Sequence, residues 1–473
     1  MTVTVSEGRR ATLQLLETYG PPQSGVLTIA TSGVALAAVL TILAFTNAVW
    51  PIGSTAVVPY EQLVRNAQLF HERLPAFATV PPAPFALLAW SCVIGLWLVY
   101  LPLVWKMRAQ PIDVRVVAVG AVALGLLAVL VPPLFSTDPF SYAMYGRFAS
   151  VYHANPYLAT ANSVAPTDPL IPYLYWRDIP SPYGPLWTLL SQALMFGKAA
   201  TPLELILRFK VVAFALALLD GWVIHRLVQR RWPEQAGWAY LAFAWNPLVL
   251  IEGIVIGHND VLILAVMLGS ACLLLRSRPI LSMAGLTASA LIKYSTLPVV
   301  GLGGLRLLLR APMRGRPWLA VRIGATMLTV AACAFLPYWT GYSSIMSTVN
   351  EPGRGLNNFL LRAIGWVLSV LTGGWISART PARAVALAAA LFGIWQVATI
   401  WRTHWRWEVW TIHDELAAWS ESLTVFLLLW PRIHTWYFLV PLGLSLAAGN
   451  AARRISFWAL TVLILLSYVS YFR

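Results

Sequence analysis

A succession of apolar runs, most of them about long enough to cross a bilayer and many ending in arginine or lysine, constrains this chain more than any other feature. Residues 25–48, 83–104, 116–135 and 205–228 are the clearest. In lipid such a run can satisfy its backbone polar groups only as a helix or within a closed barrel, and about 20 apolar residues suffice for a helical span. Charged residues make up 11% of the chain, against roughly a quarter in a soluble domain, so a soluble protein is excluded. A net charge of +15 would suggest nucleic acid in a soluble protein. Here the cations sit in short connections between apolar runs, where they orient helices in the membrane, and no nucleic-acid partner is expected. The fold class is therefore all-α and polytopic. Cys92, Cys272 and Cys333 fall inside apolar runs and read as buried thiols. The first run follows Arg9 and Arg10 and has no small-residue cleavage pattern, so it reads as a span and not as a signal peptide.

The basic connections set the topology. Residues 1–24 form an expected cytoplasmic tail, and 25–115 contain two N-terminal spans. The outer segment between them, 50–82, carries Tyr60 and Phe70 as interface anchors. A third span, 116–135, delivers Asp138 to the outer face. Residues 186–195 and 205–228 cannot both cross, because His225–Arg231 would then lie outside, against the positive-inside rule. The shorter run is about half a span, so 186–197 is expected to lie along the outer interface. The remaining runs, 238–254, 261–275, 280–291, 297–309, 319–338, 384–401, 416–430, 436–448 and 455–471, alternate consistently. Residues 280–309 read as a hairpin with Lys293 and Tyr294 at its apex, and 359–371 as a second interfacial helix in the outer loop 339–383. The total is about 13 spans, with the N-terminus inside and the C-terminus outside.

With this orientation the unusual polar residues gather on one face. Asp138 opens a loop that runs through Tyr142, Tyr145, Arg147 and Asn155-Pro156-Tyr157. A carboxylate at the membrane boundary can take a proton from an acceptor hydroxyl; equally, Ser136-Thr137-Asp138-Pro139 can start a helix with Asp138 as its cap. We read Asp138 as both. Ser181–Trp187 (S-P-Y-G-P-L-W) forces a turn and presents Tyr183 either to substrate or to the interface. Arg208 and Lys210 oppose the orientation rule; they either snorkel to lipid or hold the phosphate of a lipid-linked substrate. Glu252 lies inside a run where a carboxylate is costly. It precedes the turn Gly257-His258-Asn259-Asp260, whose last two residues suit helix capping or substrate contact. A metal site at His258 matches no standard spacing. Lys293 can pair with a lipid phosphate, Glu252 or Asp260. In Pro431–Tyr437, His434 is placed to assist proton transfer or donate to a phosphate, and Arg432 adds an outer cation; the alternative is an aromatic belt that includes Tyr437.

These motifs resemble those of the multi-span GT-C glycosyltransferases: an outer loop opening with Asp138, then Tyr142-Ala143 and Arg147, N-P-Y, and a closing Y-G-P-L-W. The stretches N-P-L-V-L-I-E-G and G-H-N-D, the mid-hairpin Lys293-Tyr294 and H-T-W-Y are similar to those of the actinobacterial polyprenol-phosphate-mannose-dependent α-(1→6)-mannosyltransferases. The likeness covers 116–473 and implies a GT-C-like catalytic domain with its active-site loop at 136–202 and juxtamembrane helices on the outer face. It implies an inverting enzyme in the cell membrane, moving mannose from a polyprenyl-phosphate donor to a hydroxyl of a lipid-linked or cell-envelope glycan. Asp138 would be the base and His434 its assistant. Arg208, Lys293 and Arg432 would hold the donor phosphate. Tyr142, Arg147, Tyr183, Glu252, His258, Asn259, Asp260, Tyr294 and Tyr437 would contact substrate. No cofactor or metal is expected, and a monomer is. Two other classes fit a chain of this kind, a transporter or flippase of lipid-linked sugars and an inactive lipid-binding scaffold. The one-sided clustering of polar residues favours the enzyme over the transporter.

Overall fold

The computed structural model describes residues 23–45, 82–133, 136–197, 201–342, 411–430, 433–451 and 455–468, with a few further residues between 370 and 399. Among them every regular element is helical. The expected cytoplasmic tail up to residue 22, the outer segment with Tyr60 and Phe70, nearly all of the interfacial helix at 359–371, most of the span at 384–401 and Arg432 lie outside the described residues.

The helices are α1 (Gln23–Phe45), α2 (Pro82–Met107), α3 (Val114–Leu130), α4 (Asp138–Ser150), α5 (Pro185–Ala193), α6 (Pro202–Gln229) and α7 (Pro233–Ala244). After a π-helix, Val249–Val255, come α8 (Asp260–Leu275), α9 (Pro279–Ile292), α10 (Leu297–Arg310), α11 (Arg316–Phe335), α12 (Ile412–Leu429), α13 (Leu439–Ala447) and α14 (Ile455–Tyr468). Among the described residues, three helical segments are long and apolar enough to cross a membrane alone: Gly25–Ala44, Trp90–Met107 and Met313–Tyr338. The expectation of about 13 spans rests on hydropathy, since several further helices, α3, α8 and α9 among them, are apolar but shorter.

The run at 238–254 is not one straight span. α7 and the π-helix meet at a bend of 56°. The cause is local: Pro247 has no N–H to continue the ladder, and the Asn246 side chain instead accepts from the Leu248 N–H at 2.9 Å. The residue before the break, Trp245, fills a slot between α1 and α3. Its Nε1 donates to the Val117 carbonyl at 3.0 Å, and a Cβ on Gly120 would overlap its ring. Trp238 donates to the Val104 carbonyl at 2.9 Å and Tyr100 to the Ala242 carbonyl at 2.6 Å. Buried indole and phenol donors thus fasten α2 and α3 to α7 and the residue after it, while α1, which like α2 carries no motif, packs at Gly33 against the Trp245 ring.

α5 is nine residues long, too short to cross, and packs against α4 and α9. α9 and α10 form the hairpin read from the sequence, with Lys293 and a 3₁₀ turn, Tyr294–Thr296, at its apex. The Y-G-P turn docks on that apex: the Gly184 N–H donates to the Ile292 carbonyl at 3.1 Å, and a Cβ at Gly184 would overlap the Leu291 carbonyl. The cysteines are free, but only Cys92 is buried; Cys272 is half-buried and Cys333 exposed, because a run's apolar character does not fix which of its faces meets other helices.

Candidate active site

Asp138 is the first residue of α4, not its cap. Thr137 holds the N-cap position, Pro139 follows inside the first turn, and no side chain caps the helix. The Asp138 N–H is instead taken by the Ser136 hydroxyl at 3.1 Å. Its carboxylate is thereby left for other partners while staying in the first turn, where the helix dipole favours an anion. The side chain is 15% exposed. Burial pushes its carboxyl up to about 6, against the opposing pull of the Lys293 charge and of hydrogen bonds from Tyr183 and Ser136; Asp260 adds a smaller push upward.

Beneath it sits His258, fully buried in the turn between the π-helix and α8. Its Nδ1 lies 3.6 Å from Asp138 Oδ2 and its Nε2 3.4 Å from Glu252 Oε2. The Tyr142 hydroxyl is 3.4 Å from the same Nδ1. Burial, with added repulsion from Lys293 and His434, holds the His258 pKa well below its ordinary value. The ring is therefore neutral, and these approaches are dipolar contacts, not ion pairs. Glu252 lies on the π-helix, a form that often marks functional sites. Asp138 and Glu252 approach opposite nitrogens and do not converge on one point. Among the described residues no three His, Cys, Asp or Glu side chains are grouped to hold a metal.

An aromatic stack continues the site. His258 lies on Trp436 at 4.1 Å between centroids, and Trp436 on His434 at 4.4 Å, all nearly parallel. Of the two protein partners open to Lys293, Glu252 and Asp260, it takes Asp260, at 2.9 and 3.1 Å from the two carboxylate oxygens. Its ammonium also sits 4.0 Å over the Tyr437 ring. Tyr142 meets Tyr183 and Trp187 edge-on, each at 4.9 Å. Asn259 occupies the N-cap position of α8 but makes no side-chain cap. Both polar atoms of its fully buried amide lack a hydrogen-bond partner among the described residues. A buried amide without partners is costly.

The structure thus brings Asp138, Tyr142, Tyr183, Glu252, His258, Asp260, Lys293, His434 and Tyr437 into one chain of contacts, with Asn259 next to it in sequence. Two expected residues are engaged elsewhere. Arg147 binds Asp168 at 2.6 and 2.8 Å, and Tyr152 joins the same carboxylate at 2.6 Å. Arg208 donates to the Leu194 and Phe196 carbonyls at 2.8 and 2.5 Å, closing the end of α5, and stacks on Phe196. Lys210 does not snorkel. It is fully buried and donates to the Val131 carbonyl, one of the acceptors that the end of α3 leaves without an intrahelical donor. Tyr294 is half-buried at the hairpin apex, and Arg432 lies outside the described residues. Trp436, the centre of the stack, has no role assigned from the sequence; its place two residues after His434 in H-T-W-Y is the available signal.

Three comparisons bear on this geometry. Residues 30–309, more than half of the chain, match the family model described as alpha-(1→6)-mannopyranosyltransferase, N-terminal domain. A probable alpha-(1→6)-mannopyranosyltransferase of Mycolicibacterium smegmatis is 28% identical over 155 residues, 31% of this chain and 26% of the relative. An alpha-(1→6)-mannopyranosyltransferase of Mycobacterium tuberculosis is 27% identical over 150 residues, 31% of this chain and 25% of the relative. The alignments thus span about a quarter of the curated relatives' length. No solved structure matches.

Proposed function

This chain belongs to the alpha-(1→6)-mannopyranosyltransferase family, and from that premise we propose that it transfers mannose from a polyprenyl-phosphate donor to a hydroxyl of a lipid-linked or cell-envelope glycan, with inversion, at the outer face of the membrane. The observation that carries the reading is Asp138: a mostly buried carboxylate with its pKa raised to about 6, held beside a neutral imidazole and within range of a lysine–aspartate pair. A general base works best when its pKa lies near the operating pH.

In the proposed step the Asp138 carboxylate takes the proton of the acceptor hydroxyl as that oxygen attacks the anomeric carbon. The bond from this carbon to the phosphate oxygen breaks, and the polyprenyl phosphate leaves with the electron pair. Attack opposite the leaving group turns a β-linked donor into an α-glycoside. The phosphate leaves as a stabilised anion and needs little acid help. Lys293 supplies positive charge toward it from the hairpin apex, and His434 offers a donor at the end of the aromatic stack. The Asn259 amide meets sugar hydroxyls. Asp138 returns its proton to water through the exposed part of its side chain.

The test is product formation by the purified protein in detergent, with polyprenyl-phosphate mannose and a glycolipid acceptor. Without sealed membranes a transporter produces nothing, so product supports catalysis. Asp138→Asn is expected to lower the rate by at least about 10²-fold, the usual worth of a general base. Normal turnover in that variant would refute the assignment.

A further inference from the structure

The opposite end of the same helices holds a second built site. α8 starts at Asp260 beside Lys293 and ends at Leu275; α9 runs back from Pro279 to Ile292; α10 runs out again from Leu297 to Arg310. Sixteen helical residues rise about 24 Å, so the far ends of these helices lie well away from Asp138. There they enclose, with the start of α12, a cavity of about 500 Å³. Its polar wall includes Ser282, Arg306, Arg310 and Glu415, and its apolar wall includes Leu275, Leu286 and Leu307.

The charges in this wall do not cancel. Arg306 Nη1 is 3.1 Å from Glu415 Oε2, and Arg310 Nη2 is 4.0 Å from the same oxygen. Trp419 Nε1 donates to the other oxygen at 2.9 Å. Among the described lining residues one carboxylate thus faces two guanidinium groups, a formal excess of one positive charge. Arg306 and Glu415 are buried, while the Arg310 side chain is 39% exposed. Ser282 is 1% exposed, and its hydroxyl has no hydrogen-bond partner. Ser282 is one of the residues that line the cavity, together with positive charge and an apolar surface.

We propose that this cavity binds a phosphate ester carried on an apolar chain, an anionic membrane phospholipid, independently of the reaction at Asp138. The phosphate lies on Arg310, whose planar fork suits phosphate oxygens, at the open side of the Arg306–Glu415 pair. The chain lies along Leu275, Leu286 and Leu307. A volume of about 500 Å³ holds the headgroup and the first part of an acyl chain, within the range of ordinary ligand sites. The neighbouring Arg276, Arg278 and Arg314 belong to the basic connections expected on the cytoplasmic side, where basic pockets between helices take anionic headgroups.

The test uses the full chain, purified and delipidated in detergent, with native mass spectrometry after adding phosphatidylglycerol or phosphatidylcholine, and with inorganic phosphate as a separate arm. Phosphatidylglycerol should be retained about tenfold more than phosphatidylcholine, the effect of one charge-assisted contact. Arg310→Gln removes the exposed cation and Ser282→Leu fills the cavity; each should abolish that preference while size-exclusion behaviour stays unchanged. Equal retention of the two lipids, or an undiminished preference in both variants, would overturn the proposal. So would binding of inorganic phosphate as tightly as the lipid, since the apolar wall would then contribute nothing.

Discussion

Asp138 should make the protein less stable as well as active. Its carboxyl titrates at about 6 in the fold against an ordinary value of 3.8. A raised folded pKa means that the folded state holds the proton more tightly than the unfolded chain. The ionised carboxylate is therefore penalised in the fold. The penalty is full above about pH 6, shrinks as pH falls, and is gone below the unfolded value. A gap of about two pH units corresponds to roughly 3 kcal/mol. Asp138→Asn keeps the shape and an acceptor oxygen but removes the charge. At pH 7.5 the variant should melt higher than the natural protein while losing transfer activity. At pH 4.5 the two melting temperatures should approach each other. Thermal unfolding of both proteins in detergent, followed by intrinsic tryptophan fluorescence across that pH range, reads this directly. A variant that melts lower at pH 7.5, or a stability gap that does not narrow on acidification, would refute the linkage reasoning.

Three other substitutions separate chemistry from architecture. Lys293→Met leaves Asp260 buried without its cation, a change that typically costs about 3–5 kcal/mol; because Lys293 holds the Asp138 pKa down, the acidic limb of any remaining activity should also move to higher pH. Gly184→Ala drives a methyl group into the Leu291 carbonyl, so the active-site loop should detach from the hairpin apex and transfer should fall, seen as a loss of kcat together with protease sensitivity at residues 181–187. Arg147→Ala leaves Asp168 buried without its cation, held only by the Tyr152 hydroxyl and the Leu170 N–H, so it should lower the melting temperature while the pH dependence of residual transfer stays that of the natural protein; an altered pH profile would place Arg147 in the chemistry.

What the sequence made legible follows from range. Lys293 stood out because a lysine interrupts two apolar runs, and the hairpin it tops is present. α5 was separable from a span by length and by the sign of the loop that a crossing would misplace. His258 and Glu252 were visible as polar residues in apolar surroundings. Pairings across distance were not. Nothing local says that Arg147 takes Asp168 from the far side of the loop, or that Arg208 closes the end of α5. Those choices are made when the loop folds on itself. Asp138 was displaced by one position, from cap to first helical residue, because whether the chain enters the helix at Thr137 or Asp138 depends on backbone angles. The bend at Asn246-Pro247 was written in the sequence as a proline inside a run, yet hydropathy averages across it.

The pH–rate profile of mannosyl transfer by the purified protein tests the central claim most directly. If Asp138 is the base, single-turnover rates should fall about tenfold for each pH unit below about 6, and the residual activity of Asp138→Asn should not show that limb. A natural protein whose rate is flat from pH 5 to pH 8, or an Asp138→Asn variant that keeps the same acidic limb, would contradict the account.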